Sequence, residues 1–362
     1  GGFFYFQYNQ MMQIALYRKY RPQEFGEVLG QEHIVTVLEN EVKTGKISHA
    51  YLFSGSRGIG KTSIARIFAK ALGVHADDIY EIDGASNRRI EDIRAIREAV
   101  HTLPYHGKYK VYIIDEVHML TPESFNALLK TLEEPPEHCL FILATTEPQK
   151  LPDTVISRCE HFVFRKPSHK LILGAVLDVA KSEGVKIDKG SASLIATLAD
   201  GSFRDALSTL QKVIHSSPDN TLSETEVEKV LGAPKREFVM GVIEGISEQN
   251  VEKAISFVKK ASESDADMQV FLKMLLRNLR FILLLRFAKD MRQMIENETG
   301  EEEFNKLSLL ANPSTDGAKN INSKTLLSFL DAASRQLHSS IPELLIELAI
   351  IESCAKVIKV DN

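Results

Sequence analysis

The segment GSRGIGKT, residues 55–62, constrains the fold of this chain more than any other part of the sequence. It follows the apolar run AYLFS, which is typical of a buried strand, and it precedes a segment with the periodicity of a helix. In this context the pattern G-x-x-x-x-G-K-[ST] forms a phosphate-binding loop. Gly55, Gly58 and Gly60 allow backbone N–H groups to close around phosphate oxygens at the start of the helix, where unpaired donors favour an anion.

The last residues of this loop predict which groups bind a nucleotide. We expect Lys61 to reach the β- and γ-phosphates of ATP, and Thr62 to offer its hydroxyl to Mg²⁺. Ser63 follows in the same helical turn and belongs to the predicted nucleotide-binding residues. A chance match in a glycine-rich loop is the alternative, and a second motif is needed to decide.

That second motif is VYIIDE, residues 111–116, which places two carboxylates at the end of a predicted buried strand. We assign the Mg²⁺ shell to Asp115, and to Glu116 the role of a base that orients or deprotonates water. Acids at a strand end can also serve as helix caps. Here the Thr-Pro-Glu sequence at residues 121–123 already starts a helix with its own cap. The pair of acids therefore predicts ATP hydrolysis.

The next apolar run, LFILATT, ends in two threonines and is followed by the triplet Ser-Arg-Cys. We choose Thr146 over Thr145 as the residue that contacts the γ-phosphate or the attacking water; the alternative is an ordinary strand-end threonine. Arg158, the arginine of the triplet, is either a surface cation or a ligand of a phosphate. That phosphate would belong to this chain or to a neighbouring copy.

Arg204 lies in the first turn of a predicted helix that Ser202 and Asp205 cap as an S-x-x-D pair. A cation at this position opposes the helix dipole by roughly 0.3–1 kcal/mol. A nearby nucleotide phosphate would account for that cost. The alternative is a solvated arginine that pairs with Asp200 or Asp205.

The order of strand, loop and helix recurs along the first part of the chain and predicts an α/β fold. Short continuous apolar runs between helices are typical of a parallel sheet with helices on both faces. With 362 residues and 44% hydrophobic content, the chain can bury more than one core. We predict a nucleotide-binding domain at 13–165, a small helical domain at 166–234 and a second helical domain at 235–362. Residues 1–12 are expected to be a disordered or artefactual extension.

Composition argues against several classes of protein. The net charge of −5 gives no overall attraction to nucleic acid or anionic lipid, so any such partner needs a local basic patch. The three scattered cysteines form no Cys-x-x-Cys pair and indicate a reducing cytoplasm. The most apolar segment, FLKMLLRNLRFILLLRF, is interrupted by lysine and arginine, and we expect it to be a packed helix and not a membrane span.

Several segments resemble, in order, the gamma/tau subunit of the bacterial replicative DNA polymerase clamp loader. These are ALYRKYRPQEFGEVLGQEHIV, GSRGIGKTS, IIDEVHML with SFNALLKTLEEPPEH, ATTEPQKLPDTVISRC and GSFRDALS. The resemblance covers residues 15–232 and is only helical in character afterwards. It implies an AAA+ ATPase with an α/β P-loop domain, a helical lid and an α-helical collar that holds five subunits in a ring. The implied partners are delta, delta-prime and further gamma/tau copies, the sliding clamp and primer-template DNA, in the cytoplasm near the nucleoid and without a membrane.

The resemblance implies a role for each candidate residue by its position. These roles are Walker A for Lys61 and Thr62, Walker B for Asp115 and Glu116, first sensor for Thr146, arginine finger in trans for Arg158, and second sensor for Arg204. The implied adenine pocket draws on Tyr20, Arg21, Pro22 and Val28.

The segment EIDGASNRRIEDIR, residues 81–94, is the implied DNA contact. Clustered cations at a helix N-terminus can bind DNA phosphates without reading bases. Family members contact the primer-template here, and the alternative is a solvated helix face balanced by neighbouring acids. The candidate residues are Asn87, Arg88, Arg89 and Arg94.

The sequence departs from the family in two places. Family members commonly insert a four-cysteine zinc module after the Walker A helix, whereas here VHADD makes the connection, so no zinc site is expected. His75, Asp77 and Asp78 are candidate ligands for some other ion, but a short exposed turn is the expected state. The chain also ends without the proline-rich linker and polymerase-binding domains of the long tau form, so we expect a gamma-like or truncated form.

The predicted function is therefore that of a clamp-loader ATPase subunit, in which ATP binding and hydrolysis drive loading of the sliding clamp. A catalytically inactive stator like delta-prime shares the Ser-Arg-Cys triplet, but it should have a damaged phosphate loop. A DExH helicase is the other alternative, because residues 115–118 spell D-E-x-H. The sequence contains no paired-arginine motif of the kind such helicases need.

Overall fold

The computed structural model describes residues 14–87, 90–217, 220–314, 317–336 and 341–354. These residues form two compact units. The first unit holds the described residues up to 175 together with 199–208, and the second holds 176–198 and the described residues from 209 onward. The predicted division into three domains, with boundaries at 165 and 234, stays a prediction. The predicted extension at 1–12 lies outside the described residues.

The first unit is built on a five-stranded parallel sheet, which confirms the predicted α/β fold. Its strands lie in the spatial order β2-β3-β4-β1-β5, and every neighbouring pair is parallel. The strands are β1 (Ala50–Ser54), β2 (Ile79–Asp83), β3 (Lys110–Asp115), β4 (Cys139–Thr145) and β5 (Glu160–Val163).

The helices of this part of the chain are α1 (Leu16–Lys19), α2 (Glu32–Thr44), α3 (Lys61–Ala71), α4 (Ile90–Ala99), α5 (Pro122–Glu133) and α6 (Asp153–Ile156), followed by α7 (His169–Ser182) and α9 (Phe203–Ser216), which each contribute residues to both units. Helices α1 and α2 precede β1, helices α3 to α6 lie between the strands along the chain, and α7 and α9 follow β5.

The two faces of the sheet bury separate apolar clusters. Along β1 successive side chains point to opposite faces, so Leu52 joins the cluster that contains Leu128 of α5, while Phe53 joins the cluster that contains Ile34 of α2 and Phe68 of α3. All five residues are buried. A strand covered on both faces must be apolar throughout, which explains why the strands appear in the sequence as continuous apolar runs.

Because all five strands are parallel, their carboxyl ends lie together on one side of the sheet, here called the carboxyl edge, and their amino ends lie on the opposite side, the amino edge. Ser54 at the end of β1 lies beside Thr145 at the end of β4, and Asp115 at the end of β3 lies beside Asp83 at the end of β2. The residues that follow these strands therefore meet at the carboxyl edge. Residues that precede the strands lie at the opposite, amino edge.

The second unit is largely helical. A two-stranded parallel sheet of β6 (Lys186–Ile187) and β7 (Thr221–Leu222) also belongs to it. We did not predict these strands, because two residues are too short to show a period of two. The helices that lie wholly in this unit are α8 (Lys189–Leu198), α10 (Glu224–Leu231), α11 (Arg236–Ser247), α12 (Val251–Glu263), α13 (Met268–Phe287), α14 (Arg292–Thr299), α15 (Glu301–Ala311), α16 (Ser323–Gln336) and α17 (Pro342–Cys354).

Helix α13 is the packed helix that the sequence predicts. Phe271, Leu275, Leu279 and Ile282 are all buried, as their spacing indicates. Three of the cations that interrupt it donate to backbone oxygens of other segments: Lys273 to residue 198, Arg277 to residue 298, and Arg286 to residues 310, 311 and 321. Arg280 is exposed. Among the described residues, no helix has both the length and the apolar character needed to cross a membrane.

The side chain of Gln31, just before α2, is hydrogen-bonded to the segment that follows β5, and this contact can be tested. Its side chain is fully buried, donates to the backbone oxygen of Arg165 at 2.6 Å and accepts from the N–H of Arg165 at 3.1 Å. Gln31→Ala leaves both backbone groups without this partner, so we expect the free energy of unfolding of the first unit to fall by about 2–4 kcal/mol. Urea denaturation with hydrogen exchange at β5 measures this loss. Gln23→Ala, at an exposed glutamine, is the control and should change stability by less than about 0.5 kcal/mol; equal losses in both variants would contradict the prediction.

Candidate nucleotide site

The predicted phosphate loop lies between β1 and α3, at the carboxyl edge of the sheet. Gly55, Gly58 and Gly60 all have positive φ angles, of 145°, 73° and 104°. A Cβ atom on Gly58 would lie 2.0 Å from the Oγ of Ser202, and one on Gly55 would lie 2.8 Å from the backbone oxygen of Phe164. The loop therefore needs glycine for its backbone conformation and also for the close approach of neighbouring segments.

Lys61, the first residue of α3, turns its ammonium group back into this loop. The side chain is only 5% exposed, and Nζ donates to the backbone oxygens of Gly55 at 2.7 Å and Ser56 at 2.8 Å. Burial lowers the pKa of Lys61, while the carboxylates of Glu116 and Asp115 act to raise it. A buried ammonium beside the unpaired N–H groups of a helix start is a site with the charge and donors that a phosphate requires.

The two predicted Mg²⁺ ligands lie in direct contact. Thr62 Oγ1 donates to Asp115 Oδ2 at 2.7 Å, so the start of α3 is joined to the end of β3. Two oxygen ligands on one edge of an Mg²⁺ octahedron lie about 2.9 Å apart, as calculated from Mg–O bonds of about 2.0–2.1 Å. A hydroxyl and a carboxylate at this spacing fit the oxygen-rich environment that Mg²⁺ prefers.

Glu116 lies next to this pair in an unusual backbone conformation. Its φ of 47° is in the left-handed region, which only a few per cent of non-glycine residues occupy. Its Oε2 accepts from Thr146 Oγ1 at 3.0 Å. The structure thus brings Thr146 to the carboxylate of Glu116, whereas Thr145 accepts a hydrogen bond from the N–H of Glu147 and lies 3.0 Å from the ring of His118.

His118 belongs to this network, although the sequence analysis did not identify it as a site residue. Its side chain is 6% exposed, Nδ1 lies 3.4 Å from Glu116 Oε2, and Nε2 lies 3.3 Å from Glu147 Oε1. The sequence signal was present in the D-E-x-H string, which we weighed only as a helicase signature. A histidine on the short turn that follows the acids can reach back to the carboxylate of Glu116.

The start of α9 lies against the phosphate loop, within the same unit. Phe203 N donates to the backbone oxygen of Gly58 at 3.1 Å, and Ser202 Oγ accepts from the N–H of Asp205 at 3.1 Å, as the predicted capping pair requires. The guanidinium of Arg204 lies over the ring of Tyr17, 5.0 Å from its centroid. Asp200, one of the alternative partners considered for Arg204, forms an ion pair with Lys166.

The segment predicted to hold adenine also reaches this region. Arg21 Nε donates to Ser63 Oγ at 2.9 Å, so two predicted nucleotide-binding residues are in contact. Val28 packs against the apolar cluster on the α2–α3 face of the sheet. Tyr20 and Pro22 flank Arg21 and are half-buried.

Comparison with known proteins identifies the family. A model described as "DNA polymerase III, delta subunit" matches residues 30–88 and 73–168, and a model of "DNA polymerase III subunits gamma and tau domain III" matches residues 222–316. The DNA polymerase III subunit gamma of Buchnera aphidicola subsp. Schizaphis graminum is 37% identical over 81% of this chain and 86% of its own length. This chain belongs to the DNA polymerase III gamma/tau family.

The longer members of the gamma/tau family extend beyond this chain. The tau subunit of Bacillus subtilis is 38% identical over 94% of the chain but only 63% of its own length, and the tau subunit of Escherichia coli is 40% identical over 76% of the chain and 46% of its own length. The chain thus spans about half to two thirds of these relatives.

The AAA+ fold predicted for this gamma/tau family member is supported by solved structures. Thermotoga maritima RuvB, described as a Holliday junction branch migration motor, matches with a TM-score of 0.50 and 23% identity over 63% of this chain and 79% of that chain. A mutant form of RuvB matches with a TM-score of 0.51 and 22% identity, over the same shares of the two chains. At this level of identity the likeness establishes the fold alone.

Arg158 lies away from the phosphate loop of its own chain. It precedes β5, whose residue Glu160 lies beside Tyr51 near the start of β1, so Arg158 is at the amino edge of the sheet. Its Nη2 donates to Glu133 Oε1 at 2.7 Å, and its Nη1 donates to the backbone oxygen of Thr154 at 2.6 Å. Unlike Lys61, Arg21 and Arg204, Arg158 therefore does not lie at the phosphate loop of its own chain.

The predicted DNA contact is described only in part, because Arg88 and Arg89 lie outside the described residues. Asn87 Nδ2 donates to the backbone oxygen of Asp83 at 3.0 Å, at the end of β2. Arg94 is exposed on α4. The role of these residues in binding DNA stays a prediction.

Gly58→Ala tests the steric requirement of the loop. The added methyl group meets Ser202, and a φ of 73° costs an L-residue about 1–2 kcal/mol, so we expect nucleotide affinity to fall by about 5- to 30-fold. Titration with a fluorescent ATP analogue measures the change. Gly26→Ala is the matched control, because its Cβ would meet no atom within 4 Å and its φ is not positive. Parent-like affinity in Gly58→Ala would contradict the steric argument.

Proposed function

We propose that this chain is an ATPase subunit of a DNA replication clamp loader. In this proposal ATP binding at several subunits of a five-membered ring favours opening of the sliding clamp and binding of primer-template DNA, and hydrolysis releases the closed clamp. The other ring members are delta, delta-prime and further gamma/tau copies. The proposal rests on family membership together with the arrangement of the site, and it places the protein in the cytoplasm, near the nucleoid.

One observation carries the enzymatic part of the proposal. The Lys61 ammonium inside the loop, the contact of Thr62 with Asp115 and the contact of Thr146 with Glu116 converge at one edge of a single sheet. A stator without nucleotide chemistry has no need for this set of paired side chains. The intact loop and its buried lysine therefore favour the ATPase over the inactive alternative.

The binding residues act mainly by charge and position. Mg²⁺-ATP, when bound, supplies the reactive phosphoryl group and part of the charge neutralisation that phosphoryl transfer requires. Lys61 donates hydrogen bonds to phosphate oxygens in place of the loop carbonyls that it now contacts. Thr62 and Asp115 would hold the metal ion through the Thr62 hydroxyl and the Asp115 carboxylate.

Glu116 is the proposed base. Its carboxylate orients a water molecule and takes a proton from it at an Oε atom, and a base positioned in this way typically contributes about 10²–10⁴ in rate. Thr146 fixes the carboxylate by donating to Oε2, and His118 lies against the same oxygen. Both residues therefore orient the base, and Arg204 and Arg21 add positive charge near the loop.

Arg158 is proposed to act on the ATP of the adjacent subunit. Its position at the amino edge, opposite the loop, supports a role outside its own site. It is already held by Glu133 at the surface, with one third of its side chain exposed. An arginine supplied in trans can contribute about 10³–10⁵ in rate.

The experiment that tests the function measures ATP turnover with and without delta, delta-prime, sliding clamp and primed DNA. We expect Glu116→Gln to bind ATP normally and to lose hydrolysis by about 10²–10⁴, because the amide oxygen still accepts from Thr146 but cannot take a proton. Glu134→Gln, at an exposed glutamate at the end of α5, is the control and should leave turnover unchanged. Parent turnover in Glu116→Gln would remove its role as base. If clamp and primed DNA do not stimulate ATP turnover, and no clamp is loaded onto DNA, the clamp-loader proposal is contradicted.

Arg158→Ala tests action in trans. We expect the isolated variant to bind ATP with parent affinity, because Arg158 lies far from its own loop. In rings assembled with parent subunits it should lower hydrolysis at the neighbouring site by about 10³ or more. Lys43→Ala removes another exposed cation paired with a glutamate and should not change turnover. Loss of ATP binding by the isolated Arg158→Ala subunit would show that the arginine serves its own site.

A further inference from the structure

Three side chains that ligate metals lie together outside the nucleotide site. His75 and Asp77 come from the connection between α3 and β2, and His106 comes from the connection between α4 and β3. Asp77 Oδ2 lies 3.3 Å from His75 Nδ1 and 3.6 Å from His106 Nε2. The nearest ligand atoms of all three residues lie within 4.8 Å of one another. Two segments that are distant in sequence therefore bring His75 Nδ1, Asp77 Oδ2 and His106 Nε2 close together.

This cluster is separate from the nucleotide site. Both connections precede their strands, β2 and β3, and these strands are parallel neighbours. The cluster therefore lies at the amino edge of the sheet, whereas the phosphate loop and the paired acids lie at the carboxyl edge. Any ligand bound here would not take part in ATP chemistry.

A buried carboxylate positions the two segments. Asp78 is fully buried, and its two oxygens accept from the N–H groups of Tyr105 and His106, each at 2.7 Å. The loop that carries His106 is thus attached to the turn that carries His75 and Asp77, so the three ligands are arranged before any ion binds.

The facing ligand atoms also favour a cation. His75 Nδ1 and His106 Nε2 both face Asp77 Oδ2, at 3.3 and 3.6 Å. A neutral imidazole can present the lone pair of such a nitrogen, and a cation between this nitrogen and the carboxylate oxygen would convert a contact of two lone pairs into two ligand bonds. The long hydrogen bond of 3.4 Å from the Asp77 N–H to His75 Nδ1 would be given up when the ion binds.

We propose that His75, Asp77 and His106 form a binding site for a divalent transition-metal ion of the Zn²⁺ class. Tetrahedral bonds of about 2.0–2.1 Å place two ligand atoms about 3.3–3.4 Å apart, close to both distances from Asp77. Two imidazoles and a carboxylate suit Zn²⁺, and water completes an open shell, since each side chain is more than half exposed. Mg²⁺ prefers oxygen ligands and should not compete.

The proposal changes two expectations from the sequence. We expected no zinc site in this region, and we considered Asp78 as a ligand alongside His75 and Asp77. The buried Asp78 instead supports the site through the backbone of the loop, and His106 takes the third position. A bound ion would join the connections before β2 and β3 and so resist their separation.

The test uses the full untagged chain, labelled with ¹⁵N-histidine, in excess Mg²⁺ so that oxygen-only sites are filled. Titration with Zn²⁺ is followed by long-range ¹H–¹⁵N spectra of the imidazole rings and by competition with a coloured chelator. We expect Zn²⁺ to shift His75 Nδ1 and His106 Nε2. Asp77→Asn and His106→Ala should each weaken binding by at least about 10-fold, the lower range for loss of a group that supports a metal site. His101→Ala, at another exposed histidine on the same loop, is the matched control and should bind Zn²⁺ as the parent does.

Each outcome decides the proposal. Parent-like Zn²⁺ affinity in both ligand variants, or shifts confined to other histidines, would overturn it. Ring shifts that follow pH alone and do not respond to Zn²⁺ would identify a simple histidine–aspartate ion pair and would also overturn it. Urea denaturation without metal is run on every variant, and an Asp77→Asn protein that unfolds like the parent but loses Zn²⁺ supports a direct ligand role.

Discussion

The hydrogen bond from Thr62 to Asp115 is the contact on which the rest of the site depends. It joins the helix that follows β1 to the end of β3, although β4 lies between these strands in the sheet. The order of the strands makes this possible. After β1 the chain crosses to β2, the outermost strand on one side of the sheet, and then returns through β3 to β4, which lies beside β1. Ligands bind at such points of reversal in open α/β sheets. The end of β4, with Thr146, is thereby placed between the loop and the acids.

The residues of this central group were predictable because their positions follow from local sequence and one rule of topology. Lys61, Thr62 and Asp115 each follow a buried apolar run, and parallel strands bring such positions to one edge. The sequence did not identify His118, because its role depends on the turn that directs it back to Glu116. It also did not associate His106 with His75, since only the pairing of β2 with β3 and the buried Asp78 bring those segments together.

Close packing around the loop limits which residues it accepts. The start of α9 contacts the backbone at Gly58, and the segment after β5 contacts Gly55. The capping pair before Arg204 was evident from sequence, but its contact with the loop was not, because the two segments are far apart along the chain. The conformation of the loop thus depends on the close approach of neighbouring backbone segments. In the sequence, only the glycines of the loop indicate these contacts.

The position of Arg158 has a consequence for how copies of this chain can associate. Its guanidinium lies at the amino edge of the sheet and the phosphate loop at the carboxyl edge, so a contact that joins the two uses unlike faces of the two partners. Such an interface is heterologous and gives a row of subunits a direction. If such a row does not close into a ring of identical copies, Arg158 of one terminal subunit contacts no phosphate loop. The phosphate loop of the other terminal subunit then receives no arginine from a neighbour. The two ends of such an open arc would be chemically different, and a neighbour that fits one end would not fit the other.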